Sequence, residues 1–225
     1  MIRLLTFGLC LFTLSTCSEL LRAEDEYRVE VLNEAAPADA GLSPEIAAAV
    51  SPTGFKVMKG ESRTVCSFWP AKQWAVQADF KPTPALLYPL AMGQFVGVIN
   101  FKRDGEDFRG QEIEKGTYTV RFALQPVDGN HVGTSDTRDF LVLVKPADDA
   151  KPDVMPPADL MKKSAAAAGT PHPAMLSLLA AAGATSDAPM IEHNADRELW
   201  SVGFANPTTA GKLAMRIVVV GKAAE

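Results

Sequence analysis

The chain has 225 residues, 47% of them apolar, and a formal net charge of −5. That apolar fraction excludes a chain that is disordered throughout, and the length suffices for one domain, or one domain with an appendage. An acidic balance with no Lys/Arg stripe to neutralise phosphates excludes nucleic acid as a partner.

Met1 and Arg3 open the chain, an apolar run covers Leu4 to Leu14, and Leu21-Arg22-Ala23 precedes the polar Glu24-Asp25-Glu26. This is the layout of a secretory signal peptide over residues 1–23, cleaved after Ala23. The apolar run falls short of the roughly 20 residues of a spanning helix, and no later segment is apolar enough for a transmembrane span. A competing exit is a lipid anchor at Cys17, because Leu14-Ser15-Thr16-Cys17 approaches a lipobox. The mature chain is therefore expected to be exported, periplasmic or extracellular. Losing Arg3, Glu19 and Arg22 leaves it at −6. If Cys10 and Cys17 leave with the signal, Cys66 has no internal disulfide partner and is expected to be a packed core thiol.

Tyr27 to Leu32 alternates apolar and polar, the period of a half-buried strand. Asn33 to Leu42 is Ala/Pro/Gly-rich and reads as loop. Ser43-Pro44-Glu45 opens a short helix through Val50, with Ser as the cap and Pro at the first helical position. Strands follow at Phe55 to Met58 and Arg63 to Trp69, with a turn at Lys59-Gly60-Glu61. Trp74 to Phe80 alternates and predicts another strand, and the prolines of Lys81 to Pro89 then break regular structure. Gln94 to Phe101, Thr117 to Leu124 and Asp139 to Val144 are further strands, with an Asp104-Gly105 turn signal after the first.

From Pro146 to Pro157 the composition is that of a linker. Two Ala-rich helices are predicted next, Ala158 to Ala168 and Pro173 to Ala182. In the second, Met175, Leu178, Leu179 and Ala182 recur at helical spacing. Strands at Met190 to His193, Leu199 to Phe204 and Leu213 to Val220 close the chain, with turns at Asn194-Ala195-Asp196 and Asn206-Pro207. About nine strands suggest an all-β fold, an immunoglobulin-like or Greek-key β-sandwich with a helical insertion. Its parts are a core over residues 24–145, a linker with two helices over 146–188, and strands over 189–225 that complete the same sandwich.

Gly116-Thr117-Tyr118-Thr119-Val120-Arg121-Phe122, then Asp128-Gly129-Asn130-His131, then Phe140-Leu141-Val142-Leu143-Val144 resembles the end of the periplasmic copper-resistance β-barrel family. The resemblance implies copper(II) binding through Asp128 and His131. Asn130 is an insertion relative to that pattern, and the family's N-terminal histidine has no counterpart at Glu24. Independently of the resemblance, imidazole with carboxylate suits zinc or copper. The Asp128-Gly129-Asn130 oxygens also admit calcium. Of the other histidines, His172 is read as a cap of the second helix and His193 as a strand-end surface residue. Tyr118 in its Gly-x-Tyr-x-Val context also fits a corner tyrosine that bonds backbone through its hydroxyl.

Trp69, Trp74 and Tyr88 are candidates for a ligand surface that stacks on a sugar, with core packing the competing reading for Trp69 and partial exposure expected of Trp74 beside Lys72 and Gln73. Asp136, Arg138 and Asp139 read as a loop ion pair, and there is no Gly-x-Ser-x-Gly elbow. The whole points to an exported, non-catalytic binding or structural β-sandwich module. Its partner would be an extracytoplasmic protein or a small ligand. The alternative is a periplasmic copper or zinc binding protein, and the third reading is a secreted hydrolase.

Overall fold

A computed structural model describes residues 27–128, 135, 137–181 and 188–223. The signal region, Cys17 and His131 lie outside the described residues. The described residues form twelve strands, two α-helices and a short 3-10 helix at Pro146–Asp148. Strands β1 (Tyr27–Leu32), β2 (Gly54–Lys59), β3 (Arg63–Pro70) and β4 (Phe95–Phe101) form the first part, with helix α1 (Pro44–Ala49) between β1 and β2. A small hairpin, β5 (Gly105–Glu106) with β6 (Glu112–Ile113), precedes β7 (Gly116–Leu124) and β8 (Asp139–Val144). Helix α2 (Pro157–Ala168), β9 (Met175–Leu179), β10 (Met190–Asn194), β11 (Leu199–Thr208) and β12 (Gly211–Val220) complete it.

Ten strands make one antiparallel sheet in the order β1-β2-β3-β4-β7-β8-β9-β12-β11-β10. Two separate sheets are the expectation for an immunoglobulin-like sandwich, but here β9 joins both halves. Its first residues pair with β8 (Leu141 opposite Leu176) and its last with β12 (Ile217 opposite Leu178). The sheet curls until its ends approach, and the Tyr27 and Trp200 rings meet at 5.0 Å. The architecture is all-β and close to a barrel.

Alternation sorts the side chains. Val120, Phe122, Leu141, Leu143, Leu176 and Leu178 point inward and belong to the main core. Phe204 of β11 meets Phe55 of β2 at 5.1 Å and Phe68 of β3 at 5.6 Å, so opposite walls touch. The interior is filled by side chains.

Three sequence expectations change. The helix expected over Pro173 to Ala182 does not form in its described part, residues 173–181: Leu176 and Leu178 alternate into the core as β9, which the sheet needs to join its halves. Trp74 to Phe80 forms no strand, only a parallel bridge from Trp74 to Thr208. Asn206-Pro207 is not a turn but the end of β11, because the Asn206 side-chain amide donates to the Ala71 carbonyl at 3.1 Å and holds the strand straight. By contrast, α1 forms as its cap signals predict: Ile46 N–H donates to Ser43 Oγ at 3.1 Å.

The outer face of β7 and β8 is covered by the segment from Lys145 to Ala168. Its anchor is Arg121, 1% exposed on β7. The Arg121 guanidinium donates to both Asp149 carboxylate oxygens at 2.7 Å. It also donates to the carbonyls of Gly93, Asp153 and Lys151. All five of its N–H donors are thus used, and Thr119 Oγ1 donates to Asp149 Oδ2 at 2.6 Å. Gly93 (φ +88°) lies under the same strap, where an added Cβ would meet the Met155 carbonyl oxygen. The strap delivers α2, whose Leu160 and Ala167 are buried. Leu160 packs with Ala123, Val142, Val144 and Met155.

Candidate functional site

Helix α2 ends in a left-handed Gly169, with Gly169 N–H donating to the Ala166 carbonyl and Thr170 N–H to the Ala165 carbonyl. This pattern reverses the chain sharply. Pro171 and Pro173 keep the return extended, and Ser164 Oγ donates to the Ala174 carbonyl at 3.2 Å, fastening the helix to the start of β9. Between helix and sheet a groove of about 850 Å³ remains open. Its floor is Phe108, Ala123, Phe140, Val142 and Met175, and Met161 and Ala165 of α2 form one wall. Met175 packs against both outer-face clusters, the Leu160 cluster and one built on Phe108 and Phe140. Two methionines in the lining give it soft, adaptable walls.

The polar rim carries Arg109, Lys162 and His172, all exposed. Arg109 stands on a loop fixed from beneath by Asp107, which is 1% exposed. Asp107 Oδ1 accepts from the Arg109 and Gln111 backbone N–H groups, each at 2.8 Å. Its Oδ2 accepts from Gln111 Nε2 at 2.8 Å and from Met175 N–H at 3.1 Å. The carboxylate is satisfied by four donors and is not part of the groove lining. Among the described residues no Asp or Glu lines the groove. A second recess, about 710 Å³ at the Tyr27 end of the sheet, differs in carrying both signs: Lys59, Arg63, Arg197 and Lys222 line it together with Glu106 and Glu198.

The groups with displaced proton affinities lie elsewhere and have structural jobs. Burial pushes the Cys66 thiol up to about 12, so it is the packed thiol expected of it. Burial likewise raises Asp139, whose carboxylate accepts from Leu87 N–H at 2.8 Å and Tyr88 N–H at 3.2 Å. The Arg138 charge acts in the opposite sense on Asp139, and its guanidinium donates to the Gln125 carbonyl at 2.9 Å; Asp136, the other acid of the expected loop ion pair, lies outside the described residues. Tyr88 is buried and raised mainly by desolvation. Its hydroxyl donates to the Leu179 carbonyl at 2.6 Å and accepts from Arg216 N–H at 3.0 Å, inserting itself between β9 and β12. Tyr118 donates to the Glu114 carbonyl at 2.8 Å, as a corner tyrosine does.

No family profile, characterised protein or solved structure matches the chain. The site therefore rests on its own geometry. Trp69 and Trp74 are 3% and 0% exposed, and their indole N–H groups donate to the Glu34 and Val96 carbonyls. Both rings are core, and neither offers a surface on which a sugar could stack. Asp128 is exposed beyond the end of β7. Its expected partner His131 lies outside the described residues, so the two are not seen together. Among the described residues no group of three His, Cys, Asp or Glu is close enough to hold a metal ion. No helix among them is long and apolar enough to cross a membrane. His172 caps no helix; it sits in the return loop at the groove rim. His193 on β10 stacks on Trp200 at 4.1 Å and approaches Glu198 at 3.6 Å.

Sequence reasoning missed Arg109 and Lys162. Each looks like a solvated surface cation, and the only local signal was the prolines around His172, which announce an extended return.

Proposed function

We propose that the protein is an exported, non-catalytic binding module whose ligand face is the outer groove between α2 and strands β7–β9. The observation that carries this reading is the groove itself. It is an apolar concavity of small-ligand size, and its walls are set by the Arg121–Asp149 anchor and the Asp107 loop. Among the described residues, Cys66, Tyr88 and Asp139, whose proton affinities burial raises, are committed to packing or backbone hydrogen bonds and lie outside the groove lining. Export is supported by the first 23 residues alone.

The test is titration of the purified protein with the apolar fluorophore N-phenyl-1-naphthylamine, beside Ala165→Trp, which fills the groove from its helical wall. Saturable binding in the wild type that is lost in the variant is the expected result. Binding unaffected by Ala165→Trp would place the ligand elsewhere. Sequencing the N-terminus of protein recovered outside the cytoplasm tests export, and an uncleaved cytoplasmic chain contradicts it.

A further inference from the structure

We infer that the groove takes an amphipathic anion, a long-chain carboxylate whose tail lies on the Phe108–Met175 floor and whose head group is met by Arg109, Lys162 and His172. This inference rests on the groove being the ligand face. Three observations carry it. The floor and the helical wall are apolar, from Phe108, Phe140, Val142, Met175 and Met161. The polar groups are gathered at the rim, and the charged ones among them are of one sign, with no carboxylate lining the groove among the described residues. Neither the Arg109 guanidinium nor the Lys162 ammonium has an ion-pair partner among the described residues, although other surface cations do, such as Lys56 with Glu30 at 2.9 Å.

An apolar trough with an uncompensated positive rim is complementary to an apolar tail ending in negative charge. A neutral hydrocarbon would leave the rim unused, and a cationic amphiphile would be repelled by it. The groove's volume falls within the range of small-ligand sites, and a folded protein partner would need a broader face. The Asp107 loop holds the backbone of Arg109 before any ligand arrives, so less ordering is left to binding.

The test is calorimetric titration with dodecanoate, dodecanol and dodecyltrimethylammonium, each below its micelle concentration, on the wild type, the Arg109→Gln/Lys162→Gln double variant and Ala165→Trp. Dodecanoate is expected to bind about tenfold more tightly than dodecanol, with the cation weakest. The double variant is expected to remove that advantage while leaving dodecanol binding unchanged, and Ala165→Trp to abolish both. Circular dichroism of the exposed-site variants should match the wild type. Equal binding of dodecanoate and dodecanol, both lost in Ala165→Trp, would overturn the anionic ligand while leaving the groove as the site. A preference for dodecanoate that survives the double variant would overturn the head-group assignment. No binding of any of the three would overturn both readings. A concentration-dependent dimer abolished by Ala165→Trp, with no amphiphile bound, would give the groove to a second copy of the chain.

Discussion

The two faces of strands β7 and β8 are held by opposite means. Inward, Val120, Phe122, Leu141 and Leu143 join an apolar core in which opposite walls touch. Outward, the strands meet the strap through a buried charge set beside a small apolar cluster of Ala123, Val142, Val144 and Leu160, with Arg121 donating to Asp149 and to three carbonyls. Apolar packing is non-directional, so the inner face tolerates exchange among side chains of similar volume. A guanidinium with every donor used tolerates almost none, because its geometry is fixed. The outer face is where the groove sits, and its helix wall is carried by the strap that the charge holds in place. In this fold positional precision is concentrated where the candidate site is, and bulk stability where it is not.

The largest effect that would break this contrast is at the anchor. Asp149→Ala leaves Arg121 buried without its counter-charge and is expected to cost about 3–5 kcal/mol in denaturant unfolding. Arg121→Met together with Asp149→Ala should recover part of that loss. If Asp149→Ala costs no more than an exposed substitution, the outer face is not held by this pair. Next is Leu160→Ala, which empties the contact of α2 with Val142 and Val144 and should cost on the order of 3 kcal/mol. It should also weaken probe binding in the groove, whereas Leu143→Ala on the inner face should destabilise comparably with less effect on binding.

Tyr88→Phe removes the hydroxyl that bridges Leu179 C=O and Arg216 N–H between β9 and β12. The expected loss is about 1–3 kcal/mol. The same phenol predicts a pH dependence. Burial holds its proton above the ordinary tyrosine value, so the folded state binds that proton more tightly than the unfolded chain. Stability is therefore full below about pH 10 and falls as pH rises beyond it. Tyr88→Phe should flatten that alkaline limb, and an unchanged limb would assign it to other groups. The smallest effect is at α1: Ser43→Ala loses the cap on Ile46 N–H and the 2.6 Å bond to the Ala150 carbonyl on the strap. About 1 kcal/mol is expected.

Much of the fold was readable because period-two alternation and cap chemistry are local. Tyr118, Val120 and Phe122 declared one face of β7, and Ser43-Pro44 declared the start of α1. The misreadings have a common cause. Met175, Leu178 and Leu179 fit a helical stripe as well as a strand, and only the need of β8 and β12 for a shared neighbour decides between them. Trp74 looked like a strand residue because it is apolar in an alternating run. It is instead a plug whose indole N–H donates to the Val96 carbonyl at 2.9 Å. The groove was not legible. Arg109, Ala123, Phe140, Lys162 and Met175 come from five segments with no common motif, and they converge only after the strap has folded across the sheet.

The most direct test of the groove as the ligand face is the methyl NMR spectrum of the protein with its methionines labelled, recorded with and without dodecanoate. Shifts are expected at Met161 and Met175, which line the groove, and none at the buried Met58 and Met215. No shift at Met161 and Met175 at saturating ligand, or shifts of equal size at the exposed Met190 of β10, would contradict it.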